Sequence, residues 1–193
     1  MKQDIVLAGV GGQGILSIAF VIDNAALKKG LRIKQAEVHG MAQRGGAVQS
    51  HLRLSEEEVH SDLIPKGHAD MILSVEPLET LRYLDYLGPE GYIVTSSTPM
   101  VNIPDYPAVE EILSSIREVE RSIVVDSGEL AREAGSGRAQ NMVMLGAASH
   151  HLILEEADIL EFIEVLFKNR GERLVEVNRK AFRLGRDASA RSA

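Results

Sequence analysis

Residues 5–8 form an apolar run that breaks off in glycines, and helical spacing begins at once behind them. A short run that is apolar on every residue suits a strand buried on both faces of a parallel sheet. Past the glycines, Ile15, Ile18, Ala19, Ile22, Ala25 and Ala26 share one helical stripe, which Leu16 and Phe20 widen. Lys28 and Lys29 fall in the last turn of that helix, and Gly30 supplies its stop. Residues 31–38 read as a second strand, so the chain is expected to begin as a parallel strand–helix–strand unit.

The spacing then changes. Residues 47–54 alternate, with Val48, Ser50, Leu52 and Leu54 on one face and Gln49, His51 and Arg53 on the other. Residues 59–63 are expected to return as an antiparallel partner, which makes the sheet mixed. Further strands are predicted over 69–75, 92–95 and 122–125. Helices are predicted over about 76–87, 109–119, behind a cap at Asp126 or Ser127, and over 141–153, 156–168 and 174–184. Residues 88–91 read as a turn, 135–138 as a flexible loop and 185–193 as a frayed tail. The fold class is α/β: a three-layer α/β/α sandwich with a Rossmann-like, mostly parallel mixed sheet. Residues 1–185 make one domain and 186–193 a C-terminal tail.

Composition narrows the function. With 193 residues and 45% hydrophobic content, the chain is long enough to bury a core. It carries 21 basic against 28 acidic residues, a net charge of −7. An acidic chain without a basic block is poorly suited to nucleic acid or an anionic membrane, and 4% aromatic content with no Trp leaves no base-stacking platform. The absence of Cys excludes disulfides and any iron–sulfur cluster ligated by this chain's own thiolates. Gly11, Gly12 and Gly14 interrupt the apolar N-terminal stretch, which therefore reads as strand, loop and helix rather than as a signal peptide. A cytoplasmic protein is expected.

The candidate chemistry sits in two glycine-rich loops. Gly9, Gly11 and Gly14 fit G-x-G-x-x-G, with Gly12 and Gln13 between them. Such a loop turns tightly and aims N–H groups outward at a helix start, where the dipole favours an anion. It reads equally as a phosphate or partner-backbone cradle and as a tight turn that binds nothing. The second loop, His39-Gly40-Met41-Ala42-Gln43-Arg44-Gly45-Gly46, places a guanidinium beside glycines. Arg44 there can reach a phosphate or carboxylate bidentately, or close an intrachain salt bridge to Glu37. Gln43 can bond a ligand or its own loop. Glu37 also lies where a ribose-binding acid would sit, which keeps a stand-alone NAD(P)-binding oxidoreductase or sensor as the alternative. Ser96, Ser97 and Thr98 end a strand, where they can meet a ligand or cap the next turn. The spacing of His39, His51 and His60 fits no zinc pattern, and no catalytic residue or metal ligand is assigned.

Taken together, Gly9-Val10-Gly11-Gly12-Gln13-Gly14, the Gln43-Arg44-Gly45-Gly46 loop, Glu76-Pro77-Leu78-Glu79 and Asn141-Met142-Val143-Met144-Leu145-Gly146 make the chain similar to a known family. It resembles the gamma-type subunits of 2-oxoacid:ferredoxin oxidoreductases. The run Val38-His39-Gly40-Met41-Ala42-Gln43-Arg44-Gly45-Gly46 points to the indolepyruvate branch. The resemblance implies a cluster-free subunit that is inactive alone. A large partner subunit would carry thiamine diphosphate and 4Fe–4S clusters and decarboxylate an aryl 2-oxoacid. Electrons would pass to ferredoxin, and coenzyme A would take the acyl group. The two loops, through Gly9, Gly11, Gly12, Gln13, Gly14, Gln43, Arg44, Gly45 and Gly46, would shape the acyl-transfer end of the active site. A homodimer of the isolated chain is left open.

Overall fold

The computed structural model describes residues 1–39 and 45–191. Strands β1 (Lys2–Val10), β2 (Arg32–His39), β3 (Ala47–Ser55), β4 (Ala69–Ser74), β5 (Leu87–Ser96) and β6 (Ser122–Val125) form one sheet, in the order β2-β3-β1-β4-β5-β6. The pairs β1–β4, β4–β5 and β5–β6 are parallel, whereas β3 is antiparallel to both β1 and β2. One face is covered by α1 (Ile15–Lys28), α4 (Ser127–Ala134), α5 (Gln140–Ala148), α6 (Glu156–Phe167) and α7 (Glu172–Ala190), which close the main core. The other carries α2 (Pro77–Arg82) and α3 (Val109–Arg117) over two smaller apolar clusters. The mixed three-layer sandwich expected from the sequence is the observed architecture.

Several elements differ from expectation, each for a physical reason. β1 and β2 are not neighbours, because β3 lies between them. β3 suits an interior position: Val48, Leu52 and Leu54 are buried on one face and His51 on the other. β2 is charged and half exposed, which suits an edge. Residues 59–63 form no strand. Arg53 on β3 donates instead to the carbonyls of Ser61 and Leu63, both at 3.1 Å, and side-chain bonds replace a ladder. α2 stops at Arg82, and residues 84–86 form a 3₁₀ turn. Leu78, Leu81, Leu84 and Leu87 recur at a strict interval of three and pack into one cluster, a spacing that matches 3₁₀ better than α geometry.

Residues 88–91 are a bulged start to β5 rather than a turn. Ala69 pairs with Leu87 and Met71 already with Tyr92. A Cβ on Gly91 would lie 2.7 Å from the Ala69 carbonyl oxygen, so only glycine lets the bulge sit so close. α7 runs past Gly185 to Ala190. Ser189 is buried, and the Arg186 guanidinium pairs with Glu156 at 3.0 Å and donates to Ser149 at 2.6 Å.

His51 pins the irregular segment from below. Its Nδ1 accepts the Ile64 N–H at 3.0 Å, which places the ring proton on Nε2. The ring stands perpendicular to Tyr86, 5.1 Å between centroids. Burial, and next the Arg53 charge, hold its pKa below the usual 6.5. A base whose pKa is lowered on folding adds stability above its unfolded value, and that stability is lost as pH falls through the folded value. Wild-type protein is therefore expected to lose melting temperature faster than His51→Asn between about pH 6.5 and pH 5, since an Asn oxygen accepts the same N–H without titrating. Parallel pH–melting curves for the two proteins would sink this account.

Candidate functional site

All parallel strands end at one edge, and the glycine loops lie there. Gly9 closes β1 opposite Val48, and a Cβ on it would sit 2.7 Å from Ile15 Cδ1. The Gly11 N–H donates to the Gly46 carbonyl at 2.8 Å, and the Gly45 N–H donates back to the Gly11 carbonyl at 3.3 Å. The two loops are thus bonded to one another. β3 makes this possible: because it runs antiparallel, its first residue stands at the edge where β1 ends.

Within the first loop the donors divide into two kinds. Gln13 N–H bonds to the Val10 carbonyl at 3.0 Å, and the Gln13 side chain accepts from Val10 N–H at 2.8 Å and donates to the Val75 carbonyl at 3.4 Å. Gln13 is therefore a brace, and its amide is turned inward. Gly12 has φ +103° and open space where a Cβ would be, so here the backbone itself is what a neighbour would meet. Gly14 caps α1 at φ +79°, with Asn141 Nδ2 donating to its carbonyl at 3.2 Å. A Cβ at Gly14 would collide with that amide at 2.5 Å. Gln43 and Arg44 lie outside the described residues.

A cleft of about 560 Å³ opens between these loops, bounded by Gly12, Gly45, Pro99, Met100, Arg138 and Gln140. A smaller cleft of about 250 Å³ lies on the far side of the glycine loop, where Ser17, Arg138 and Arg170 meet the start of α1. Arg170 stacks over the Phe167 ring at 5.9 Å. Among the described residues neither Arg138 nor Arg170 has an ion pair, although the chain as a whole is acidic. Two unneutralised guanidiniums beside a helix N-terminus favour an anion. A third cleft of about 310 Å³, on the α1 side, is apolar, lined by Val10, Ile15, Leu16 and Val48.

Sequence reasoning passed over Arg138, which reads as part of a flexible Gly/Ser loop. Its setting is fixed by the starts of the two helices that flank it, at Asp126 and Gln140. Asp126 caps α4, accepting from Glu129 N–H at 2.9 Å. Gln140 accepts from Ser127 at 3.2 Å and donates to the Gly137 carbonyl at 3.3 Å, which fixes the turn that presents Arg138. The hydroxyls at the β5 end are satisfied internally. Ser96 bonds Ser127 at 2.7 Å, and Thr98 donates to Asp126 at 3.0 Å. They cap and tie rather than face a ligand.

Glu37 does not stand where a ribose-binding acid needs to be. It lies on β2, two strand positions from β1, whereas that geometry requires the strand adjacent to the glycine-loop strand. Gln35 Nε2 donates to it at 2.7 Å. Burial, and next the Glu37 charge, push the neighbouring Asp23 carboxyl up to about 7. Among the described residues no group of three or more His, Cys, Asp or Glu side chains is placed to hold a metal ion. None of the described helices is long and apolar enough to cross a membrane.

Two bonded glycine loops beside a cationic cleft, on an α/β body without cysteine, leave the Gly12 backbone and the Arg138 and Arg170 side chains exposed at one edge. A profile of the pyruvate ferredoxin/flavodoxin oxidoreductase family matches residues 4–188. The chain is 39% identical over 201 residues to the indolepyruvate oxidoreductase subunit IorB of Methanothermobacter thermautotrophicus, covering 100% of both. It is 37% identical to the IorB of Thermococcus kodakarensis, covering 96% of this chain and 95% of that one. Among solved structures it superposes on the pyruvate oxidoreductase subunit PORC of Thermotoga maritima with a TM-score of 0.71, at 22% identity, covering 97% of this chain and 96% of that one. It also superposes on part of the 2-oxoglutarate:ferredoxin oxidoreductase of Magnetococcus marinus, solved with 2-oxoglutarate, coenzyme A and succinyl-CoA bound. There the TM-score is 0.77 at 23% identity, covering 98% of this chain and 31% of that one. At these identities the two structures show the fold alone. The chain belongs to the pyruvate ferredoxin/flavodoxin oxidoreductase family, as a subunit of a 2-oxoacid:ferredoxin oxidoreductase.

Proposed function

We propose that this chain is the cluster-free small subunit of an indolepyruvate-type oxidoreductase and that its glycine-loop edge holds coenzyme A at the acyl-transfer end of a shared active site. The large partner subunit supplies thiamine diphosphate, which carries the decarboxylation, and the 4Fe–4S clusters. In the complete reaction an aryl 2-oxoacid, coenzyme A and two oxidised ferredoxins give the acyl thioester, CO2, two reduced ferredoxins and a proton. This chain contributes binding and orientation: exposed backbone at Gly12, bonded loops at Gly11 and Gly45–Gly46, and guanidiniums at Arg138 and Arg170 for phosphate oxygens. In this reading Gly9, Gly14 and Gln13 belong to the same edge, with Gln13 bracing it, and Gln43 and Arg44, which precede Gly45 in sequence, are assigned to the same coenzyme A site. A cytoplasmic setting suits this chemistry, and the isolated subunit turns over no substrate.

The observation that carries the reading is the reciprocal bonding of Gly11 with Gly45 and Gly46 beside the Arg138 cleft. In the co-expressed complex, Arg138→Ala is expected to raise KM for coenzyme A by about 10- to 100-fold, the loss of one charge-assisted contact, with KM for the 2-oxoacid unchanged. An unaltered KM for coenzyme A would remove Arg138 from the site. Saturable NAD(P) binding by the purified chain would favour the alternative.

A further inference from the structure

The wall of the large cleft opposite the glycine loop is a strap, residues 97–108, that joins β5 to α3. It carries Pro99 and Met100 into the cleft. No residue of the strap is fully buried, and Val101 and Ile103 face outward, 68% and 37% exposed. Only the Tyr106 ring packs against a core cluster, that of Ile93, Ile112 and Ile116. Apolar burial therefore does little to place this wall.

Hydrogen bonds place it instead: Ser97 and Thr98 are tied to the β6 end and the start of α4, and past the cleft wall two bonds converge on one carboxylate. Glu76 follows β4 and is 1% exposed. Its Oε2 accepts Glu79 N–H at 2.8 Å as the N-cap of α2. Its Oε1 accepts both Met100 N–H, at 3.2 Å, and the Tyr106 hydroxyl. Farther along, Asn102 Nδ2 donates to the Gly45 carbonyl at 2.7 Å, so the strap also touches the second glycine loop. The arrangement is a chain of contacts from Glu76 through the strap to Gly45 and then Gly11.

We propose that Glu76 is a positioning residue for coenzyme A: by holding Met100 and Tyr106 it sets the width of the cleft between the strap and the glycine loops. This deepens the coenzyme A reading and rests on it. A carboxylate suits the task because its two oxygens receive three donors from two directions, and charge-assisted bonds are shorter and stronger than neutral ones. A glutamine has one acceptor oxygen, so in either orientation its NH₂ opposes an N–H or O–H donor. Burial and the bond to Glu76 push the Tyr106 phenol up, so it remains a donor at any working pH.

The test uses the co-expressed complex and three variants. Glu76→Gln is expected to raise KM for coenzyme A about tenfold and Tyr106→Phe about threefold, because the first removes the charge that strengthens both hydrogen bonds to the strap, and the second removes only one of those bonds. In both, kcat and KM for the 2-oxoacid stay within about twofold of wild type. Ile116→Val, which trims the cluster beneath the strap, lowers the melting temperature without moving KM for coenzyme A. Should Glu76→Gln fail to fold, Tyr106→Phe decides. A melting temperature that falls in Tyr106→Phe while KM for coenzyme A stays at the wild-type value would overturn the proposal and leave Glu76 structural. Equal changes in kcat and in KM for both substrates would overturn it too. If Arg138→Ala leaves KM for coenzyme A unmoved, the underlying reading has failed. If Arg138→Ala raises it and the Glu76 and Tyr106 variants do not, only the positioning role has failed.

Discussion

Gly185→Ala is expected to lower stability by about 3 kcal/mol or more, although alanine is the better helix former by about 1 kcal/mol. The reason is the crossing of α5 and α7. A Cβ on Gly185 would lie 1.9 Å from the Val143 carbonyl oxygen, and one on Gly146 would lie 1.9 Å from that of Phe182. The contact is reciprocal: each helix offers a glycine to the other's backbone, three residues from the carbonyl it presents. Neither obstacle is a side-chain end that can swing away. Relief requires the helices to separate, and α5 is buried from Asn141 to Ala148, so the packing of Met142, Val143, Met144 and Leu145 would loosen together. In thermal melts this corresponds to a fall of about 6–12 °C for a domain of this size. Gly137→Ala is the comparison, because a Cβ there meets nothing nearer than Arg132 Cγ at 3.9 Å. A Gly185→Ala protein that melts at or above the wild-type temperature would show that the two backbones stand farther apart than this.

Arg53→Met is the second large effect, expected at about 3–5 kcal/mol in urea unfolding. Asp4 is fully buried in the middle of the sheet. Its two oxygens receive Arg53 Nε at 2.9 Å and Arg53 Nη2 at 3.1 Å. The same guanidinium bonds the carbonyls of Ser61 and Leu63, but these are exposed and water can replace it there, so the cost comes from the one buried charge that its removal strands. Lys2 Nζ, 2.9 Å from Asp4, remains, but it is half exposed and shares its charge with water. Replacing both members, Asp4→Asn with Arg53→Met, should recover much of the loss, because no uncompensated charge is then buried. A single-variant cost below about 1 kcal/mol would mean that the pair behaves as a surface ion pair.

Much of the architecture was legible because local signals and tertiary demands agreed. The α1 stripe, its stop at Gly30 and the β6 run all stand where periodicity puts them. Misreadings fell where long-range pairing decides. Nothing in residues 31–54 says that β3 will insert between β1 and β2; only relative burial shows that the more apolar strand takes the interior. The bulge at Gly88–Gly91 carries turn residues because a close approach to Ala69 needs the same small side chains that a turn does. At the site, the glycines were readable from spacing. Gln13 turned out to serve its own loop, and Arg138 was hidden by flexible-looking neighbours whose order comes from Gln140 and its bond to Ser127, a partner on another helix that sequence spacing does not reveal.

The β2–β3 hairpin stands beside the parallel half of the sheet as a unit of its own. Its two strands are joined to one another residue by residue from Arg32↔Ser55 to His39↔Val48, and four strands of parallel sheet remain contiguous without it. Register is therefore held by the ladder itself, and a longer connection between the two strands would leave it in place. The entropic toll is slight, about 0.6 kcal/mol for each doubling of loop length.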